Sequence, residues 1–274
     1  MLTALRAALT AGLLLTSATF TAAYGQQAAP AADMVRINAG EYSPLFKGAD
    51  GPRRIRVEAF WLDRHAVTNA QFAAFIRAEP RWAPDNIKPV FADDTYLDHW
   101  REHDPTAADG IGNQPVTNVS WFAARAYCKA QGKRLPTEDE WELAAAASET
   151  EPNGTDDAAF RARILEWYSK PAITRLPAVE DTWTNYWGVS GIHGVTWELV
   201  DDFNTALVSG ESRGDAALEN KLYCGAGAAA AIDPSDYAAF MRYAMRSSYR
   251  AKSTLRSLGF RCASDNKNQT VVSQ

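Results

Sequence analysis

Three cysteines, Cys128, Cys224 and Cys262, carry the most reactive side chains in this sequence. In an oxidising compartment two of them can pair and one is left over, and composition alone does not say which. Met241 and Met245 stand four residues apart, on one face of a helix if that stretch is helical. Two thioethers and a thiolate would make a soft donor set that prefers Cu(I), although the same spacing suits two methionines packed in a core. His99 and His103 share a spacing that can seat zinc on a helix. Their surroundings, Asp98-His99-Trp100-Arg101-Glu102-His103, show no helical pattern and no third ligand, so a solvated polar loop accounts for them better. His193, just before Trp197, is a further candidate ligand that could equally fill a structural place.

The elements that must position these residues lie in a chain of 274 residues, 46% hydrophobic and 22% charged, which is ordinary for a soluble globular protein. The first 25 residues read as a secretory signal peptide: Arg6, an apolar run from Ala7 to Ala23, and small residues at the −3 and −1 positions of a cleavage site in Ala23-Tyr24-Gly25. An uncleaved anchor is the competing reading, but the run is short and broken by Thr and Ser. No other stretch is apolar enough to span a bilayer. Removing Arg6 from the 28 basic side chains leaves 27 against 33 acidic ones, a formal charge of −6. With no basic cluster against that background, nucleic acid is not an expected partner. The expected location is the periplasm.

Residues 26–33 form a short Ala/Pro linker. Beyond it, Met34 to Ile37 alternates loosely and Arg54 to Ala59 strictly, before Phe60-Trp61, and both read as strands. Thr68 to Gln71 fits a capping box ahead of Phe72, Phe75 and Ile76, and Thr137 to Glu140 fits another. Ser120 precedes Trp121, Ala124 and Cys128 in helical register. Asp233-Pro234 looks like an N-cap and first helical proline, followed by an apolar stripe of Tyr237, Phe240, Met241 and Ala244. Three long stretches, 86–116, 151–188 and 201–223, read as irregular. Loops of that length either build a site or are tied down, and nine Trp, ten Tyr and eleven Phe supply rings large enough to hold them. No repeat or composition break divides the chain into two domains.

Five ordered motifs carry a resemblance. They are Met34 to Tyr42; Phe60-Trp61-Leu62-Asp63 through Val67-Thr68-Asn69; Pro115 to Trp121 with Cys128 and Gly132-Lys133-Arg134-Leu135-Pro136-Thr137-Glu138; Gly188 to Glu198; and Leu258-Gly259-Phe260-Arg261-Cys262. Together they resemble the formylglycine-generating enzyme (sulfatase-modifying factor) family over nearly the whole mature chain. The resemblance implies a compact, loop-rich α+β domain related to C-type lectins, here over residues 34–264, with 265–274 as a tail.

The enzymes of that family hold Cu(I) between two thiolates and use O₂ to oxidise a substrate cysteine to an aldehyde. The first thiolate corresponds to Cys224. The second falls at Ala238, and no cysteine lies anywhere between Cys224 and Cys262. Lys221 replaces a serine three residues before Cys224. By the same resemblance Cys128 and Cys262 form a disulfide, a second disulfide is lost at Ala145 and Tyr243, and Cys224 remains free. The candidate catalytic residues are Cys224, Trp197 and Arg246; the candidate metal ligands are Cys224 and Glu198, which the resemblance implies, and Met241 and Met245, which their helical spacing suggests. For calcium, Glu198 and the carbonyls of Gly194 and Thr196 match, whereas Gly191 stands where a side-chain ligand is usual.

Two functions follow as expectations. The chain resembles factors encoded beside copper nitrite reductases, which implies an accessory or binding protein in periplasmic copper-enzyme maturation. A metal-dependent oxidase with a modified site centred on Cys224, acting on a peptide or small molecule, is the alternative.

Overall fold

The computed structural model describes residues 33–45, 54–107, 110–170, 175–203 and 236–265. The alternating run at the start becomes β1 (Met34–Ile37), followed by β2 (Gly40–Tyr42), β3 (Ile55–Val57) and β4 (Phe60–Asp63). The chain changes sheets at Glu58-Ala59: β3 pairs antiparallel with β2, while β4 pairs with β1 in the register Met34↔Asp63 to Ile37↔Phe60. β7 (Ala263–Ser264) adds to the other edge of β4, so the last strand closes the sheet that the first one opens. β5 (Trp197–Glu198) and β6 (Leu258–Gly259) form a separate short parallel pair.

Helices start where the caps require. In α1 (Asn69–Ala78) the Thr68 hydroxyl accepts from the Gln71 amide at 3.2 Å and the Gln71 side chain accepts from the Thr68 amide at 2.9 Å. α3 (Glu138–Ala145) repeats the reciprocal pair with Thr137 and Glu140, and Ser120 caps α2 (Trp121–Ala130). Each box satisfies two amides that the first turn leaves without partners.

Two expectations change. The stretch 151–188 is not wholly irregular, for it contains the helix α4 (Ala158–Ser169), capped by Asp157. Phe160, Ile164, Leu165, Trp167 and Tyr168 spread over a wide arc of α4 and pack among other rings, so no narrow apolar stripe announces the helix. The last helix, α5 (Tyr237–Ser248), is capped by Asp236, whose carboxylate accepts from the Ala239 amide. The expected cap at Asp233 and Pro234 lies outside the described residues. Its buried face is Ala238, Ala239, Arg242 and Arg246, with Tyr237 exposed, because two arginines on that face find carboxylates.

The core lies between the first sheet, α1, α2 and the C-terminal segment. Phe72 sits 5.7 Å from the Tyr127 ring and 6.0 Å from that of Phe260. Cys128 of α2 is bonded to Cys262, the residue before β7, with Cα atoms 5.6 Å apart. The long loop 86–116 is tied down through Asn69, which donates to the carbonyls of Ile111 and Gln114 and accepts from the Trp100 indole at 2.7 Å. Among the described residues no helix is long and apolar enough to cross a membrane. The architecture is α+β, mixing short strands with helices around one core.

Candidate functional site

α3, α4, β5 and α5 converge on a cavity of about 10 Å³, roughly the room of one water molecule. Trp141, Tyr168, Trp197, Glu198, Met245 and Arg246 are among its walls. Four residues singled out from the sequence, Trp197, Glu198, Met245 and Arg246, are thus brought together although they span two distant segments. Met241 lies half-buried on the same helix as Met245 but not on that wall. Cys224 and Lys221 lie outside the described residues. Ala238, where the resemblance implies the second thiolate, is buried with Phe160 and Ile164 and offers no donor atom.

The electrostatics centre on Glu142. Arg242 grips its carboxylate with two nitrogens, Nε at 2.9 and 3.1 Å and Nη2 at 2.7 Å, and Arg246 adds a contact at 2.6 Å. Burial alone would raise the Glu142 pKa, but the two guanidiniums outweigh it and bring it from an ordinary 4.5 to about 2. Arg246 also reaches Glu138 at 3.1 Å and lies 4.8 Å over the Trp141 ring. Glu138 is pushed upward, first by burial and then by Glu142, Asp202 and Asp139, against the pull of Arg246. Arg246, expected as a catalytic group, is therefore committed to two carboxylates and an indole face. It positions α5 on α3 and has little freedom to reach a substrate.

Tyr168 packs its ring 4.7 Å from Trp197 and donates its hydroxyl to His193 Nδ1 at 2.9 Å. His193 Nε2 must then donate to the Ala145 carbonyl, also at 2.9 Å. With both nitrogens used and burial holding the imidazole neutral, its pKa lowered to about 3, His193 is a structural residue and not a ligand. His99 is likewise structural: its Nε2 sits 3.2 Å from Asn69 Oδ1, burial lowers its pKa to about 4, and His103 is exposed.

Glu198, expected as a calcium ligand, is occupied otherwise. Its carboxylate is completely buried against the Arg261 guanidinium and also accepts from the Trp141 indole at 2.8 Å. The residues present do not fit a calcium ion at that place. They do not fit a two-thiolate copper site either, since Ala238 supplies no sulfur. Among the described residues no group of three or more His, Cys, Asp or Glu side chains is placed to hold a metal.

Glu142, Arg242 and Tyr168 were not singled out from the sequence. A signal for the first two was present: Glu138 and Glu142 stand four apart on α3, and Arg242 and Arg246 four apart on α5, so each helix turns a pair of like charges to one face.

A family model described as the sulfatase-modifying factor enzyme 1-like domain matches residues 19–266. The chain is 29% identical to the formylglycine-generating enzyme of Streptomyces coelicolor over 288 residues, covering 84% of this chain and 88% of that protein. It is 33% identical over 136 residues to a Mus musculus protein named inactive C-alpha-formylglycine-generating enzyme 2, covering 40% of this chain and 44% of the other. Among solved structures, PvdO from Pseudomonas aeruginosa has a TM-score of 0.44 at 19% identity, covering 84% and 93% of the two chains. With the family model matching residues 19–266, most of its length, this chain belongs to the sulfatase-modifying factor family as a divergent member of the formylglycine-generating-enzyme type.

Proposed function

We propose that this protein does not generate formylglycine but acts as an exported accessory or binding protein in the maturation of a periplasmic copper enzyme. The observation that carries the reading is Ala238. A site built on two soft sulfur donors has here a methyl group buried against Phe160 and Ile164 at the second donor's position. Rotamer changes in Cys224 cannot restore the missing atom. Arg246 supports the reading as well, because its pairing with Glu138 and Glu142 spends its charge inside the protein. The mouse relative named as inactive is in keeping with a scaffold that persists without the chemistry.

A metal-dependent oxidase centred on Cys224 is the second reading, and Met245 favours it, since its thioether side chain lines the same cavity as Trp197. A single thiolate would position a substrate thiol less firmly, and misplacement of about 1 Å can by itself cost on the order of 100-fold in rate. Incubation of the exported protein with Cu(I), O₂ and a cysteine-containing sulfatase peptide separates the two readings by mass spectrometry. The expected result is unmodified peptide. Aldehyde formation that disappears in Cys224→Ala establishes the oxidase instead.

A further inference from the structure

The turn that leads into β5, residues 191–198, is where the family resemblance implies a calcium ion, and its charge balance is already complete without one. Arg261 Nε donates to both Glu198 oxygens, at 3.1 and 2.8 Å, and Nη2 donates to Oε1 at 2.8 Å. The Trp141 indole supplies a fourth contact, to Oε2. An ionised carboxylate has about four acceptor sites, so all are in use. The remaining guanidinium hydrogens go to the carbonyls of Asp63, Arg64 and Ser190, at 3.0 to 3.1 Å. Both side chains are fully buried.

The rest of the turn is closed in the same way. Calcium needs about six to eight oxygen ligands, yet Gly191 carries no side chain, and a Cβ there would stand 2.9 Å from Thr182 Oγ1. A Cβ on Gly194 would stand 2.8 Å from the Trp167 indole, which covers that side of the turn. Both glycines have positive φ, 63° and 83°, so the backbone itself resists replacement by a residue bearing a ligand. The His193 carbonyl accepts from the Trp183 indole at 3.0 Å. Bringing a divalent cation onto Glu198 would displace the guanidinium from its carboxylate and leave a buried charge unpaired, a strongly unfavourable exchange.

We propose that Arg261 is the fixed counter-cation of the Glu198 turn and that this protein folds with no calcium ion there. The proposal does not depend on the reading of the Cys224 region. It is tested on the full exported chain by thermal unfolding in EGTA and in millimolar Ca²⁺, together with equilibrium binding of ⁴⁵Ca²⁺. The expected result is the same Tm in both buffers and no stoichiometric binding. One bound ion per chain accompanied by a rise of several degrees in Tm overturns it. Arg261→Gln, which keeps a polar side chain but removes the charge, assigns the role: where it folds, it should lose stability, and adding Glu198→Gln should restore part of the loss by removing the carboxylate left unpaired. A folded double variant that is no more stable than Arg261→Gln overturns the assignment to Arg261. Should that variant fail to fold, the wild-type measurements decide alone.

Discussion

Glu142 is the residue on which the α3–α5 contact turns, since it is the shared partner of two buried guanidiniums. Removing one partner of a buried pair leaves the other charge uncompensated, which typically costs about 3–5 kcal/mol. Glu142→Ala should therefore lower unfolding free energy by roughly that amount in urea titrations, and Glu138→Gln, on a more exposed side chain, by clearly less. The pH dependence has a definite sign. A carboxyl held near 2 in the folded chain and near 4.5 unfolded stabilises fully above about 4.5 and loses that contribution as pH falls through 2. His193 adds a second acid-sensitive group. Unfolded histidine takes up its proton near 6.5, whereas the buried ring resists protonation down to about 3. Each unit of acidification within that window costs about 1.4 kcal/mol from this residue alone. Nitrogen-detected NMR should show the Nε2–H tautomer of His193 persisting at pH 5, where a solvent-exposed histidine is a cation. An imidazolium signal from His193 at that pH contradicts the assignment.

At the scale of elements, the disulfide joins α2 to the segment before β7 across 134 residues. The chain-entropy account gives about 5 kcal/mol for a closed loop of that length. Peptide mapping of the unreduced protein should recover Cys128 linked to Cys262 and Cys224 as a free thiol, and the double variant Cys128→Ala/Cys262→Ala should lose stability on that scale. A bridge containing Cys224 contradicts the pairing. The bond acts on a region already held by packed rings, with Phe72 and Tyr127 each in contact with Phe75, Phe260 and one another, mostly edge to face. α5 depends on a different kind of contact. Its buried face is half arginine, so its docking rests on charge neutralisation by α3 and on the Trp141 ring between the two helices, rather than on apolar area alone.

For the whole molecule, the reading from sequence predicts export. The mature chain is expected to begin near Gln26, and N-terminal sequencing of protein recovered from the periplasmic fraction checks it. A Met1 terminus in the membrane fraction contradicts it. The expected export would place the Cys128–Cys262 bond in an oxidising compartment, where disulfides persist.

Local signals were legible in the sequence because their causes lie within a few residues. Thr68 with Gln71 and Thr137 with Glu140 cap helices as read, since each pair is three apart and needs nothing else. The alternation from Met34 became a strand for the same reason. The ordered motifs identified the family, and the absence of a cysteine between Cys224 and Cys262 is a property of the sequence that no fold can alter. Tertiary structure decided the rest. That Trp197, Met245 and Arg246 share one cavity depends on β5 and α5 meeting, and the intervening sequence carries no local trace of it. The fate of the charged residues was hidden most completely. Glu198 and Arg261 are 63 residues apart, and Glu142 and Arg242 are 100 apart. A carboxylate in sequence reads as a ligand, an acid or a surface charge. Only its neighbours in space determine which, because the cost of burying it is set by the partner that neutralises it.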